Sequence, residues 1–152
     1  MGTTTTKPTT HVRYEEDFVA WAAQTALLLR ERRFDEIDME SLAEEVDAMA
    51  GRDRREVLSR LTVLLVHLLK WKHQPDKRSR SWQSTIATQR AELDDLFEDS
   101  PSLKRGLAAA VSRAYPRAAD LAAIETGLSA DTFPPKCPFT LKQILDPAYQ
   151  PE

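Results

Sequence analysis

Glycine is scarce in this sequence, with four residues among 152. β-Sandwiches and barrels use glycine in their many turns, so this scarcity argues against an all-β fold. It also leaves no glycine-rich loop of the kind that cradles phosphates. Of the residues that are present, 41% are apolar and 30% are charged. That balance is typical of one globular domain with much exposed helical surface.

Cysteine and long apolar runs are nearly absent as well. Cys137 is the only cysteine, so no internal disulfide can form and a reducing compartment is expected. The longest apolar run, residues 61–69, is interrupted twice and is shorter than the ~20 residues that a membrane span needs. The Thr-rich residues 1–13 lack the apolar core of a signal peptide and are predicted to be a disordered tail. We therefore expect a cytoplasmic protein with no membrane partner.

Apolar residues recur at three- and four-residue steps from residue 14 onward, which predicts helices almost throughout. Polar segments with capping residues separate these helices. The predicted helices run from Tyr14 to about Arg33, from the N-cap Asp38 to Gly51, from a capping box at Asp53 to about His73, from the cap Ser81 to Phe97, and from Ser100 to Gly127. Pro116 either kinks the last of these or opens a sixth helix.

The helix predicted over residues 53–73 occupies the centre of the expected bundle. Its apolar residues cover roughly 160° of arc on a helical wheel, which is typical of a helix surrounded by others. Leu61, Leu65 and Leu68 should therefore be fully buried and inaccessible to solvent.

The chain changes character after Gly127, because five of its nine prolines follow that residue. This composition predicts an irregular strap with one short helical turn at 141–145. The sequence as a whole predicts an all-α, single-domain bundle of five or six helices over residues 14–128. The Pro-rich C-terminal strap, residues 129–152, is expected to pack on that bundle.

Familiar catalytic and metal-binding signatures are missing. The sequence contains no Glu-x-x-His of di-iron bundles, no His-Glu-x-x-His or paired Cys-x-x-Cys of zinc sites, and no Gly-x-Ser-x-Gly nucleophile elbow. Cys137 lies in the Pro-rich strap, where a packed small hydrophobe is the expected role. No cofactor and no metal site can be assigned, and whether the chain is an enzyme stays open.

Charge is segregated along the chain. Residues 35–47 carry a net charge of −7, and residues 52–80 carry a net charge of +6. One interpretation is that two antiparallel helices face each other with opposite charges, which the small overall charge of −3 favours. The other is a basic platform at residues 70–82, bounded by Trp71 and Trp82, that binds nucleic acid by stacking and phosphate contacts.

Two titratable residues fall beside apolar lines of the predicted helices. Leu42, Val46 and Met49 form the expected buried line of the second helix, with Glu45 among them. His67 lies at the edge of the apolar arc of the next helix. Unpaired buried charges are costly, so we expect Glu45, His67 and Arg60 to pair with one another or with water, and Arg90 could join them.

Such a cluster has two interpretations. In the first, Glu45 is a base or metal ligand, His67 is an acid or metal ligand, and Arg60 or Arg90 clamps an anion, as in a metal- or anion-dependent hydrolase acting on a phosphate ester. In the second, the same groups form an internal ion-pair network that fixes how the helices pack. The second is favoured, because structural ion-pair networks also perturb titratable groups and such perturbation marks a functional site only probabilistically.

Six motifs, in order and spacing, resemble a bacterial family named domain of unknown function, family 29. The resemblance covers residues 14–151 and implies a small, soluble, all-helical protein, without implying an activity, substrate or cofactor. The motifs are Tyr14-Glu15-x-Asp17-Phe18-x-x-Trp21, Leu42-Ala43-Glu44-Glu45-Val46, His67-Leu68-Leu69-Lys70-Trp71, Ser81-Trp82-x-x-Thr85-Ile86-x-x-Gln89-Arg90, Pro101-Ser102-Leu103 and Glu125-Thr126-Gly127-Leu128.

The binding candidates are the motif residues together with one arginine of the predicted central helix, and they point to a pocket between the first four helices. They are Asp17, Trp21, Arg60, Trp71, Trp82 and Arg90. The leading functional hypothesis is a cytoplasmic helical module, without catalysis, that binds a protein partner or a second copy of itself. The hydrolase and the nucleic-acid-binding module are its two alternatives.

Overall fold

A computed structural model describes residues 11–152, and no strand occurs within that range. The prediction of an all-α fold is confirmed. The predicted tail lies outside the described residues except for 11–13, which are not helical. The six α-helices of the described range are α1 (Phe18–Arg30), α2 (Met39–His73), α3 (Arg80–Asp99), α4 (Pro101–Arg105), α5 (Leu107–Thr126) and α6 (Leu141–Leu145).

Helix α2 differs most from the prediction, because it is one continuous helix of 35 residues. The expected end at Gly51 and the expected start at Asp53 are both wrong. A glycine inside a helix costs only about 1 kcal/mol relative to alanine, and the Arg and Glu residues that follow it are good helix formers. The two segments of opposite charge are therefore successive stretches of one helix, which cannot pack antiparallel to each other.

The other boundaries also show small departures. Ser79 caps α3, since its hydroxyl accepts a hydrogen bond from the Trp82 amide at 3.2 Å, so the expected cap at Ser81 is wrong. Pro116 lies inside α5 and does not open a new helix. Helix α5 ends as predicted at Gly127, whose φ of +70° is the left-handed conformation that glycine adopts without strain.

The chain divides into two compact units, Met1–Ala50 and Gly51–Glu152, which we name the N-terminal unit and the C-terminal unit. The C-terminal unit contains an extensive apolar core to which α2, α3, α5 and α6 contribute. Leu61, Leu65 and Leu68 are 0% exposed, as predicted. The buried members of this core are Val57, Leu61, Leu64, Leu65, Val66, Leu68, Leu69, Ile86, Leu93, Phe97, Leu107, Val111, Ala114, Tyr115, Ala118, Ala122, Phe133, Phe139 and Ile144.

The Pro-rich segment after Gly127 contributes to the same core through Phe133, Phe139 and Ile144. The Tyr115 hydroxyl donates a hydrogen bond to the Pro134 carbonyl at 2.7 Å. A capping box formed by Thr140 and Gln143 starts α6. This segment is therefore irregular in backbone and well anchored by its side chains.

The N-terminal unit has a much smaller buried set. Asp17 caps α1 by accepting a hydrogen bond from the Ala20 amide at 3.0 Å. Trp21 is buried, with the Tyr14 ring edge-on to it at 4.8 Å between centroids. The four buried residues of this unit among those described are Trp21, Thr25, Leu28 and Ile37.

Candidate interaction surfaces

Glu45 and His67 both lie in α2, 22 residues apart. A helix rises about 1.5 Å per residue, so roughly six turns separate them and α2 does not bring their side chains together. Each has a partner of its own. The Tyr14 hydroxyl donates to Glu45 Oε2 at 3.1 Å, and His67 Nδ1 lies 2.8 Å from the Val63 carbonyl oxygen one turn earlier.

The two candidate anion clamps are also engaged elsewhere. Arg60 donates to Glu56 at 2.8 Å and lies 3.6 Å from a carboxylate oxygen of Glu92. Arg90 is 5% exposed, and the burial lowers its pKa. Its guanidinium donates three hydrogen bonds, each to a backbone carbonyl of the C-terminal segment. These carbonyls belong to Ile144, Tyr149 and Gln143, at 2.8, 2.9 and 3.0 Å. Arg90 thus holds this segment in place.

Trp71 and Trp82 each have a cation of the same chain over the ring. The Lys70 ammonium lies 4.7 Å from the Trp82 ring centroid and donates to Glu125 at 2.7 Å. The Arg78 guanidinium lies 5.3 Å from the Trp71 ring centroid and donates to the Trp71 carbonyl at 2.8 Å. Two of the basic groups expected to track phosphates are therefore used inside the C-terminal unit.

The remaining binding candidates have structural roles, Asp17 as a helix cap and Trp21 as a buried aromatic residue. The Cys137 thiol is half-buried and donates to the Phe139 carbonyl at 3.6 Å. Burial raises its pKa, which disfavours the nucleophilic thiolate. Across residues 11–152, no three or more His, Cys, Asp or Glu side chains are grouped so that they could hold a metal ion.

Large apolar side chains are exposed mainly in the N-terminal unit. Among residues 11–152, eight of the eleven exposed large hydrophobic residues lie there, and three lie in the much longer C-terminal unit. Val46 and Met49 are each 56% exposed, so the prediction that they form a buried line is wrong. The eight are Phe18, Val19, Leu27, Leu29, Phe34, Met39, Val46 and Met49.

The first turns of α2 carry a regular apolar stripe. Met39, Leu42, Val46 and Met49 follow steps of three, four and three residues, which places them within about 80° of arc at 100° per residue. Leu42 is half-buried and the other three are exposed. The only charged residues of the segment 39–50 are four carboxylates, Glu40, Glu44, Glu45 and Asp47. We name this segment the acidic stripe.

The C-terminal unit has a groove of opposite charge between α2 and the α4–α5 region. It consists of two depressions of about 240 and 540 Å³ that share Leu58 and Arg113. The small residues Gly106, Ala109 and Ala110 keep the groove open on the α5 side. Its other lining residues are Arg54, Arg55, Val57, Ser59, Thr62, Val63, Ser102, Leu103, Ala114, Arg117 and Leu121.

Four exposed arginines form the rim of this groove, two from each wall: Arg54 and Arg55 on α2, Arg113 and Arg117 on α5. Within residues 11–152 none of them has a hydrogen bond or ion pair with another side chain. We name this feature the arginine groove. None of the sequence patterns described above predicts this groove, although the spacing of four residues between Arg113 and Arg117 places both on one face of a helix.

The described residues thus define an all-α protein with one acidic and one basic surface, and its titratable candidates Glu45 and His67 do not converge. The chain belongs to the family described as Domain of unknown function DUF29, whose model matches residues 13–150 as a single domain. The resemblance noted from the six motifs is thereby confirmed. No curated protein and no solved structure matches the sequence. None of the described helices is long and apolar enough to cross a membrane.

Proposed function

We propose that this chain is a cytoplasmic helical interaction module that acts by binding another protein and not by catalysis. One observation carries the proposal: the N-terminal unit exposes eight large hydrophobic side chains and buries three, namely Trp21, Leu28 and Ile37. Soluble proteins scatter single hydrophobic residues over their surfaces, but a concentration in one short region is typical of a binding face.

Burial of this face by a partner would contribute substantially to the free energy of binding. Complete burial of a Val, Leu, Met or Phe side chain contributes about 1.5–3 kcal/mol. Met39, Val46 and Met49 are each half exposed or slightly more, so covering the three would contribute on the order of 3 kcal/mol. Phe18 and Leu29 of α1 would add to this sum if the partner reached them.

Charge gives the face its specificity. Residues 1–50 contain eleven acidic and five basic residues, a formal charge of −6. Carboxylates beside an apolar stripe form the polar rim that protein interfaces commonly have around their apolar centre. A partner with an apolar centre and a basic rim would be steered toward this face, and an acidic partner would be repelled.

The hydrolase alternative is less well supported. Its general base and acid, Glu45 and His67, are six turns apart on α2, and Arg90 is occupied by three backbone carbonyls. The nucleic-acid alternative is also less well supported. Two of the cations that it requires, Lys70 and Arg78, already have hydrogen-bond partners within the chain. The exposed apolar side chains have no role in either alternative.

Site-specific photocrosslinking in the producing cells tests the proposal. A photoreactive phenylalanine analogue is placed at Met49, and in a matched control at Ile124, which is 77% exposed and lies in α5. We expect a discrete crosslinked species from position 49 and none from position 124. The species should disappear when Val46→Glu is added, because a buried carboxylate disrupts an apolar contact.

The presence of a discrete crosslinked species tests whether the stripe binds a protein, and the composition of that species identifies the partner. A crosslinked species containing any single partner supports the module. Equal and diffuse labelling from positions 49 and 124 would show that the stripe is ordinary surface and would remove the basis of the proposal.

A further inference from the structure

The charges of the two surfaces suggest what the partner is. Residues 51–152 contain 16 basic and 13 acidic residues, a formal charge of +3, against −6 for residues 1–50. Two acidic stripes facing each other would repel. An acidic stripe facing an arginine groove would be attracted, and one copy of the chain carries each of these surfaces.

We propose that the arginine groove binds the acidic stripe, residues Met39–Ala50, of a second copy of this chain. This inference rests on the proposed function and specifies its partner. Each copy supplies one stripe and one groove, and in the proposed dimer the two copies exchange them reciprocally about a twofold axis. A head-to-tail contact of the same surfaces would instead continue into larger assemblies.

The dimensions of the two surfaces agree. The stripe has 12 residues, which at 1.5 Å per residue gives a helical length of about 18 Å. The α2 wall of the groove runs from Arg54 to Val63, a helical distance of about 14 Å, and the opposite wall runs from Gly106 to Leu121, about 22 Å by the same rise. The length of the stripe lies between the lengths of the two walls.

The chemistry of the two surfaces also agrees. The groove has an apolar floor that includes Leu58, Leu103 and Leu121, and Met39, Val46 and Met49 offer apolar side chains to it. The rim has four arginines that lack partners in the described chain. The stripe has no basic residue, and three of its four carboxylates, Glu40, Glu44 and Asp47, are exposed, whereas Glu45 already accepts a hydrogen bond from Tyr14. Arginine pairs well with carboxylates because its planar guanidinium can donate two parallel hydrogen bonds.

Mixing two charge-reversed variants of the full chain tests this pairing. The stripe variant carries Glu44→Lys and Asp47→Lys, and the groove variant carries Arg113→Glu and Arg117→Glu. All four positions are exposed, so both variants should fold with unchanged helical content and unchanged thermal midpoint. Mass is measured by light scattering during gel filtration and by sedimentation equilibrium.

We expect the wild-type chain to reach twice its mass of 17.2 kDa and each variant alone to dimerise at least about tenfold more weakly, because the substituted surface loses its net charge and sets two charges against like charges of the other surface. In the mixture, each lysine-bearing stripe meets a glutamate-bearing groove and each native stripe meets a native groove. The mixture should therefore recover the dimer. A third variant, Lys77→Glu with Arg80→Glu, makes the same change in net charge outside the groove and should dimerise as the wild type does.

Three results would overturn the pairing. They are a wild-type chain that stays monomeric over a roughly hundredfold concentration range, a dimer that both variants retain, or two monomeric variants that do not associate on mixing. The crosslinking experiment is independent of them. A discrete partner other than a second copy at position 49 would overturn the dimer and leave the interaction module standing.

Discussion

The two units of this chain use their apolar residues in opposite ways. The C-terminal unit gathers 19 buried residues into one core and leaves three large hydrophobic residues exposed, whereas the N-terminal unit buries three and exposes eight. A segment of about 50 residues rarely buries enough surface to be stable on its own. The difference indicates that stability resides mainly in residues 51–152, and it is the basis of the proposed binding face on the first unit.

Charge follows the same division, with a negative first unit and a positive second unit. Opposite charges on one chain allow identical copies to attract each other and discourage pairing of like surfaces. The boundary between the two signs lies within the continuous helix α2. If stability resides mainly in the C-terminal unit, substitutions there should lower the free energy of unfolding more than substitutions in the N-terminal unit do.

Leu65→Ala should have the largest effect on the free energy of unfolding. Leu65 is 0% exposed in the core of the C-terminal unit, so the change loses transfer energy and creates a cavity, for a cost of about 4 kcal/mol. Urea unfolding followed by circular dichroism measures it. A loss below about 1 kcal/mol would contradict the assignment of the main core to this unit.

Arg90→Met should rank second, at a cost of about 3 kcal/mol, because it leaves three backbone carbonyls without their donor. Amide hydrogen exchange should accelerate in residues 140–151 more than in α5. The exposed Arg80→Met in the same unit is the control and should change neither the free energy of unfolding nor the exchange of residues 140–151. Equal protection of residues 140–151 in Arg90→Met and wild type would refute the anchoring role.

His73 should add a smaller, pH-dependent effect. Burial, with a contribution from the Lys72 charge, lowers the pKa of this imidazole, so the unfolded chain binds its proton more readily than the folded chain does. The contribution of neutral His73 to the free energy of unfolding is therefore fully present above the unfolded pKa of about 6.5, and it is lost as the pH falls below that value. Between about pH 7.5 and pH 5.5, the wild type should lose more stability than His73→Gln. Parallel pH profiles would contradict this.

Leu27→Ala should have the smallest effect, below about 0.5 kcal/mol. Leu27 is 50% exposed in α1 of the N-terminal unit, so its truncation removes little buried surface. The same unfolding assay measures it beside Leu65→Ala. A loss of several kcal/mol in the free energy of unfolding would show that the first unit has a core of its own. It would contradict the claim that stability resides mainly in the C-terminal unit.

The sequence predicted the fold class and the core of the C-terminal unit well. Leu61, Leu65 and Leu68 lie on a broad apolar arc, and a broad arc indicates burial regardless of the neighbours. The end of α5 at Gly127 was predictable for a local reason, because a glycine in left-handed conformation terminates a helix by itself.

Other features depend on tertiary context that local patterns do not contain. Gly51 has the sequence signature of a helix end, yet a single glycine does not terminate a helix when strong helix formers follow it. Val46 and Met49 have the spacing of a buried line and are exposed, since periodicity identifies an apolar face without saying what covers it. Arg90 was a candidate anion clamp because arginine binds anions, but its partners are backbone carbonyls more than 50 residues away. A contact with a distant backbone carbonyl leaves no side-chain motif in the sequence.

Hydrogen exchange in the acidic stripe tests the central claim most directly. The amides of Met39–Ala50 are compared between the wild type and the groove variant Arg113→Glu with Arg117→Glu, at the same protein concentration. We predict faster exchange of these amides in the groove variant, together with unchanged protection of the core stretch of α2 around Leu65. Identical exchange of the stripe in both proteins would contradict the claim that the N-terminal unit is completed by the groove of a second copy.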